Sequence, residues 1–286
     1  MLWSGPTITL SAIFICLSIV KIVRLFLKKN IPFGSYLKYT WLFFLSFVIS
    51  EFVSFSTGVW ALAILCFLAL REYFSLIDIR LQDRLGILGA YLSIPFMFYF
   101  IQIDWYGMFI ISIPVYSFLA VPLLVTLGGK ESQGTVFSIG AIDFGLFLFV
   151  FCMGHIGYLL SYTTWMPVML ILNIAVCDLA IRALRGKKTR AWISVIMRYL
   201  VPVPMTIVIS MLLSEWAEIP MPHSIVLGMM IPALVIMGHH TGDYVEEDLG
   251  IQEDPKLPGR GQILDNIKSL FFTAPVVFHY IRYFLK

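Results

Sequence analysis

Residues 136–160 read VFSIGAIDFGLFLFVFCMGHIGYLL, an apolar run that contains Asp143 and His155 but no lysine or arginine. A transmembrane helix needs about 20 consecutive apolar residues. The run is continuous and lacks the two-residue alternation that marks a strand of an outer-membrane barrel. It therefore predicts a helix that crosses a membrane.

The composition of the whole chain extends this prediction. Apolar residues make up 59% of the 286 residues and charged residues 13%, and the mean hydropathy is +0.89. Soluble domains carry roughly 25% charged residues, so the sequence predicts an all-α, polytopic integral membrane protein. Disordered, collagenous, coiled-coil and disulfide-rich classes are excluded, and a net charge of +3 is too small for a nucleic-acid partner. The cysteines show no metal or redox spacing; they are Cys16, Cys66, Cys152 and Cys177.

Hydropathy divides the chain into nine apolar runs. The first is expected to be a retained helix, because it lacks the basic start and the cleavage site of a signal peptide. The last apolar segment, 269–285, is short and contains Pro275 and Arg282. We expect an interfacial or half-inserted helix there rather than a tenth span. The nine runs lie near 7–27, 38–55, 59–76, 85–102, 107–127, 136–160, 166–184, 192–213 and 223–241.

Basic residues are distributed unequally between the connections. Lysines and arginines follow the odd-numbered runs, whereas the connections on the other side hold none and carry Asp104, Glu215 and Glu218. Since basic loops stay in the cytoplasm, we expect the N-terminus outside and residues 242–262 in the cytoplasm.

Acidic residues crowd the stretch that follows the ninth run. Carboxylates at one membrane surface repel each other unless a cation lies among them, and oxygen ligands favour Mg²⁺. His239 and Asp243 are four residues apart and share a helix face. A solvated acidic loop is the alternative interpretation. The acidic residues are Asp243, Glu246, Glu247, Asp248, Glu253, Asp254 and Asp265.

Charged residues also occur in and after the seventh run. Asp178 is followed four residues later by Arg182, which allows either a structural ion pair or a catalytic role. His155, in the sixth run, fits either a packing hydrogen bond or chemistry. A basic cluster then fits either contact with anionic lipid or a clamp for phosphates; it consists of Arg182, Arg185, Lys187, Lys188 and Arg190.

Residues 257–270 read LPGRGQILDNIKSL, which resembles L-P-G-H-G-G-x-L-D-R-x-D-S-L, the signature of the phosphatidate cytidylyltransferase (CDP-diglyceride synthetase) family. DLGIQED at 248–254 is similar to the R-D-x-G-I-K-D that precedes it. Weaker resemblances to one bacterial branch are FLALREYF at 67–74, WYGMF at 105–109, IPVY at 113–116, CD at 177–178 and APVVFHYIRYF at 274–284.

The resemblance implies an enzyme of phospholipid synthesis that joins CTP and phosphatidate into CDP-diacylglycerol and pyrophosphate, with Mg²⁺ as its cofactor. The expected partners are CTP, phosphatidate or another lipid phosphate, and membrane lipids; a homodimer in a bacterial inner membrane is also expected. The implied catalytic residues are Asp265, Asp178 and Asp243, and the implied metal ligands are Asp265, Asp243 and His239. The implied substrate-binding residues are Lys187, Lys188, Arg190, Gly259, Arg260, Gly261 and Lys268.

The chain also departs from the family pattern. His239 stands at a metal-binding aspartate, Glu246 and Glu247 replace a basic pair, and Lys268 replaces the second aspartate of D-R-x-D. We expect Lys268 to contact phosphate or Glu246. Two functions stay open, an active enzyme and a catalytically inactive relative that binds a lipid or a partner protein. The expected organisation is N-terminal helices in 1–57 and a cytidylyltransferase-like region in 58–286, with its acidic and glycine-rich segment at 242–268.

Overall fold

The computed structural model describes residues 4–27, 34–128, 132–184, 191–250 and 262–286, and within these ranges it contains helices and no strands. The helices are α1 (Gly5–Leu27), α2 (Gly34–Phe52), α3 (Phe55–Leu76), α4 (Arg84–Gln102), α5 (Tyr106–Ile111), α6 (Phe118–Gly128), α7 (Thr135–Gly145), α8 (Met153–Tyr162), α9 (Trp165–Leu184), α10 (Ala191–Leu200), α11 (Val203–Leu213), α12 (Met221–Asp248), α13 (Gln262–Ile267) and α14 (Leu270–Phe284). Leu81–Asp83 forms a 3₁₀ turn before α4, and π-helical turns at Ser112–Ser117 and Leu146–Cys152 join α5 to α6 and α7 to α8.

The apolar runs predicted from the sequence appear as membrane-length helices. Within the described residues, eight helical stretches are long and apolar enough to cross a membrane, and Tyr39–Phe52 forms a shorter apolar helix. The eight are Gly5–Val23, Phe55–Leu76, Leu81–Gln102, Tyr106–Gly128, Thr135–Tyr162, Trp165–Leu184, Ile193–Leu213 and Met221–Asp248. Together they correspond to the nine predicted runs, and the all-α polytopic membrane fold is confirmed.

Polar turns reverse the chain between these helices. Ser54 begins α3 as its N-cap, and its hydroxyl accepts a hydrogen bond from the Thr57 N–H at 3.1 Å. Asp104 and Glu218 have φ angles of 52° and 54°, a left-handed conformation that reverses the chain before α5 and before α12. These turns fall at or beside the breaks in hydropathy.

The helices define two ends of the bundle. At one end α13 meets the ends of α3 and α9, since the Ile263 N–H donates to Glu72 Oε1 and Arg182 donates to Asp265. We call this the α13 end. At the opposite end, α3 begins where α4 finishes, and Trp60 Nε1 donates to Gln102 Oε1.

The C-terminal helix α14 has 15 residues, is not among the eight membrane-length helices, and packs within the bundle. Its first turn lies at the α13 end, where Ser269 donates to Asp178, and its last residue, Lys286, pairs with Glu218 at the opposite end. Between them α14 packs against α8 and α12, and side chains such as Phe278 are fully buried. The segment therefore runs through the bundle from end to end.

Apolar side chains face both inward and outward. The interior is built largely from α3, α8, α9, α12 and α14, with Phe149, Leu159 and Val235 fully buried. On the periphery α1 and α6 expose apolar side chains such as Ile15 and Leu119. An outer surface of this kind fits a lipid environment, because lipid tails solvate apolar groups and the helices satisfy their own backbone hydrogen bonds.

Candidate functional site

Three distant segments of the chain meet at the α13 end. The last two turns of α9 supply Asp178 and Arg182, and the second half of α12 supplies one face. The short helix α13 and the residues that link it to α14 supply the rest. Each of these segments places charged side chains at the same point. The contacts of α9 with the other two segments join residues 61 to 91 positions apart, and those of Lys268 with α12 join residues 22 to 25 positions apart. The result is an ionic cluster around a buried lysine.

Lys268 lies at the centre of this cluster. Its ammonium nitrogen is 2.6 Å from Asp243 Oδ1, 2.9 Å from Glu246 Oε2 and 2.9 Å from Asp265 Oδ1, and its side chain is 1% exposed. An ammonium group has three N–H donors, so the three carboxylates engage all of them. Glu246 is one of the two partners expected for Lys268 from the sequence.

Two glycines of α12 make room for the lysine. A Cβ atom at Gly242 would lie 2.5 Å from Lys268 Cβ and 2.7 Å from its Cδ, and one at Gly238 would lie 2.5 Å from the Lys268 carbonyl oxygen. A larger residue at Gly242 would displace the stem of the lysine, and one at Gly238 would displace its backbone. The backbone of α12 is therefore shaped to hold this side chain against it.

Arg182 completes the charge balance on the other side of Asp265. Its guanidinium donates to Asp265 Oδ2 at 3.0 Å, so the carboxylate lies between Arg182 and Lys268. Burial tends to raise the pKa of Asp265, but these two cations lower it to about 2. Burial likewise opposes the charged form of Lys268, while the Asp265 and Glu246 carboxylates raise its pKa above the ordinary value. Both groups are thus ionised near neutral pH.

A second hydrogen-bonded group lies one turn deeper in the bundle. The His239 Nε2–H donates to Asp178 Oδ1 at 2.7 Å, and the Ser269 hydroxyl donates to Asp178 Oδ2 at 3.3 Å. Because the carboxylate can only accept, this pairing leaves Nδ1 of a neutral His239 with a lone pair. Nδ1 is buried and has no hydrogen-bond partner among the described residues. The Asp178 contact therefore holds the imidazole in one orientation, with Nδ1 on the side away from the carboxylate.

The structure brings together some of the predicted site residues. Asp178, Asp243, Asp265, His239 and Lys268 all belong to the cluster. The predicted substrate-binding residues Lys187, Lys188, Arg190, Gly259, Arg260 and Gly261 lie outside the described residues. Asp178 contacts His239 and Ser269, and Arg182 contacts Asp265, so both residues of α9 bind partners on other helices.

The predicted metal ligands are divided between two groups. His239 pairs with Asp178, whereas Asp243 and Asp265 both face the Lys268 ammonium. In the described ranges, no three His, Cys, Asp or Glu side chains are grouped so that they could hold a metal ion. Since an ammonium occupies the point where the carboxylates converge, the residues as arranged do not fit the expected Mg²⁺.

Two contacts of the site were not predicted, whereas the contact of Lys268 with Glu246 was. Ser269 binds Asp178, and Glu72 anchors α13 through the Ile263 N–H at 3.0 Å. The spacing of Glu246 carried a signal, because positions 239, 243 and 246 recur on one face of a helix. Nothing in the local sequence pairs Glu72 with a residue 191 positions away.

A cavity of about 760 Å³ lies against another face of α12. His240, Tyr244 and Asp248 line it from α12, and the remaining lining comes largely from apolar side chains of α3 and α7, such as Ile77 and Phe144. Alternate faces of one helix thus present the ionic cluster and an apolar cavity.

His155 lies away from the cluster. It is fully buried, its Nδ1 is 2.7 Å from the Phe151 carbonyl oxygen, and its ring packs edge-on against Phe109 and Phe278. These contacts correspond to the packing alternative.

Comparison with known proteins gives this arrangement a context. A model of the cytidylyltransferase family matches residues 37–284. An uncharacterized protein of Escherichia coli strain K12, YnbB, is 29% identical over 237 residues, which covers 77% of this chain and 78% of that protein. A phosphatidate cytidylyltransferase of Synechocystis sp. is 36% identical over 56 residues, 19% of each chain, and no solved structure gives a significant match. Because the family model spans most of the chain and includes every segment of the ionic cluster, the protein belongs to the cytidylyltransferase family.

Proposed function

We propose that this protein transfers the cytidylyl group of CTP to the phosphate of phosphatidate or a related lipid phosphate. The main support for the proposal is the ionic cluster at one end of the helix bundle. It is formed by three separated segments of the region that matches the family model. The local similarity to a phosphatidate cytidylyltransferase supports the choice of substrates.

In the proposed reaction an oxygen of the lipid phosphate attacks the α-phosphorus of CTP. A new phosphorus–oxygen bond forms, the bond to the β-phosphate oxygen breaks, and pyrophosphate leaves. Both reactants are anions, so positive groups must hold them together and stabilise the leaving group. We assign this role to Lys187, Lys188 and Arg190, which follow α9 in the sequence, and to Gly259, Arg260 and Gly261, which precede α13 in the sequence.

The described residues have supporting roles in this proposal. Arg182 and Lys268 fix Asp265, and Asp178 fixes the imidazole of His239 with its Nδ1 lone pair as a proton acceptor. Lys268 has no N–H left for a phosphate in this arrangement. We therefore propose that Lys268 stabilises the cluster and does not make the substrate contact expected from the sequence.

The apolar cavity supports a lipid substrate. It shares α12 with the cluster, and a lipid held there would have its tails in apolar surroundings near the charged end of the bundle. We propose that the α13 end faces the cytoplasm, where CTP is available, because the basic connections belong to that end. Glu218→Cys should then react with an impermeant maleimide in intact cells, and Asp248→Cys only after permeabilisation; the reverse pattern would refute this orientation.

The proposal is tested with purified protein, CTP labelled at the α-phosphate and vesicles that contain phosphatidate. Formation of labelled CDP-diacylglycerol together with pyrophosphate is expected. Asp178→Asn should lower the rate by at least about 100-fold, since it removes the charge that orients His239. Glu218→Gln, at the opposite end, should leave the rate unchanged. A folded protein that makes no CDP-lipid from any phosphatidate would reject the proposal.

A second candidate is a catalytically inactive relative that binds lipid or a partner protein. The complete engagement of the Lys268 ammonium by carboxylates favours it, because this charge is withheld from substrate. In that case CTP should give no thermal stabilisation of the protein, whereas a binder of CTP is stabilised by mass action.

A further inference from the structure

We propose that the Lys268 ammonium is a built-in cation that fills the position of a divalent metal ion among Asp243, Glu246 and Asp265. The unmodified protein then binds no divalent cation among these three carboxylates, and removal of the ammonium creates a metal-binding site. The inference concerns what occupies the cluster and is independent of the reaction that the protein carries out.

The first argument is coordination. Three carboxylate oxygens, from α12 and α13, converge on one nitrogen at 2.6 to 2.9 Å. Convergent carboxylates at such short range repel each other strongly unless a cation lies between them. Lysine supplies that cation from within the chain, and it is nearly inaccessible to solvent.

The second argument is exclusion. Mg²⁺ binds oxygen ligands at about 2.1 Å and demands near-octahedral geometry. The three oxygens converge on a point that Lys268 Nζ already occupies, and a divalent cation placed beside an ammonium would meet strong like-charge repulsion. The metal and the lysine therefore compete for the same carboxylates.

The third argument is that the surroundings are fitted to the lysine. The stem of Lys268 lies against Gly242, where even a methyl group would collide with its Cβ and Cδ. On the far side Arg182 holds the second oxygen of Asp265 and keeps this carboxylate turned toward the ammonium. Lys268 is thus a buried side chain held by α12 and Asp265, and not a chance contact of a surface lysine.

The test measures Mn²⁺ binding by electron paramagnetic resonance, with Mg²⁺-dependent thermal stability as a second readout. Lys268→Ala should gain one saturable Mn²⁺ site per chain, at least about tenfold tighter than any site in the unmodified protein. Adding Asp265→Asn to that variant should remove the new site. Lys286→Ala, which removes a lysine ion pair at the opposite end, should gain nothing.

Two results would overturn the inference. One is a folded Lys268→Ala variant with no new Mn²⁺ site. The other is an unmodified protein whose Mn²⁺ binding is lost with Asp243→Asn or Asp265→Asn, because metal and ammonium would then coexist. If Lys268→Ala does not fold, Lys268→Gln is measured in its place. The comparison of the unmodified protein with Asp243→Asn and Asp265→Asn tests the inference without any change at Lys268. Cytidylyl transfer is not measured in any of these arms, so failure here leaves the proposed reaction standing.

Discussion

Two lysines at opposite ends of the bundle form ion pairs in very different surroundings. Lys268 is 1% exposed and contacts three carboxylates, whereas Lys286 is 30% exposed and contacts Glu218, which is 61% exposed, at 3.1 Å. Water screens the second pair, so it adds little to stability. In the first, water does not reach the ammonium, so loss of the lysine leaves three neighbouring carboxylates, of which Glu246 is mostly buried, without compensation. The two pairs have the same kinds of charge, so we expect the burial of the lysine to decide how much each pair contributes to the stability of the fold.

The largest difference between the two ion pairs is expected when each lysine is removed in turn. Lys268→Met should lower the unfolding free energy by about 3–5 kcal/mol, because it leaves the mostly buried Glu246 and the partly exposed Asp243 and Asp265 without their shared cation. Lys286→Met should cost less than about 1 kcal/mol. Equilibrium unfolding in mixed detergent micelles compares the two, and losses of equal size would refute the distinction.

A smaller effect is expected from crowding the lysine without removing it. Gly242→Ala places a methyl group against the stem of Lys268 and should cost about 1–3 kcal/mol of unfolding free energy. Gly140→Ala is the matched control, since no atom lies within 4 Å of its added Cβ and alanine favours a helix. It should be neutral or slightly stabilising. A neutral Gly242→Ala would mean that α12 and Lys268 are packed less tightly than described.

The smallest expected effect is a dependence of stability on pH. The pKa of Asp265 is lowered to about 2 in the folded protein. A lowered pKa stabilises the folded state above the pKa of the unfolded chain, near 4, and this contribution is lost as the pH falls from about 4 toward 2. The contribution is on the order of 1 kcal/mol after allowance for solvent screening of a partly exposed group.

Variants identify the group that causes this dependence. The charged residues around Asp265 are Arg182 on α9, Asp243 and Glu246 on α12, and Lys268. Asp265→Asn should flatten the acid limb of a plot of thermal midpoint against pH. Glu218→Gln should leave it unchanged. An acid limb of the same steepness in Asp265→Asn would show that other carboxylates carry the effect.

The fold was largely predictable because apolar runs and turn residues are local signals. The C-terminal segment carried a weaker local signal, since Pro275 and Arg282 made it look interrupted. In the structure Arg282 donates to the Tyr162 hydroxyl at 2.8 Å and stacks over the Tyr106 ring at 3.6 Å. The guanidinium of Arg282 is therefore bound by residues of other helices, and these partners cannot be identified from the sequence around Arg282.

The site was predictable only in part, because its contacts are long-range. The four-residue spacing of His239 and Asp243 predicted that they share one helix face, and the family signature in residues 257–270 indicated Asp265 as a site residue. The pairing of Asp178 with His239 joins residues 61 positions apart, and no local pattern reports it. The same holds for the position of the Lys268 ammonium among three carboxylates, which depends on how α12 and α13 pack.

The most direct test of the central claim is a double-mutant cycle between Lys268 and Asp265, measured as unfolding free energy. If the ammonium compensates the carboxylates, Lys268→Met combined with Asp265→Asn should be less destabilised than the sum of the single changes, with a coupling of about 1–3 kcal/mol. Losses that add to within about 0.5 kcal/mol would contradict the account, because Lys268 would then not be the cation that holds the cluster together.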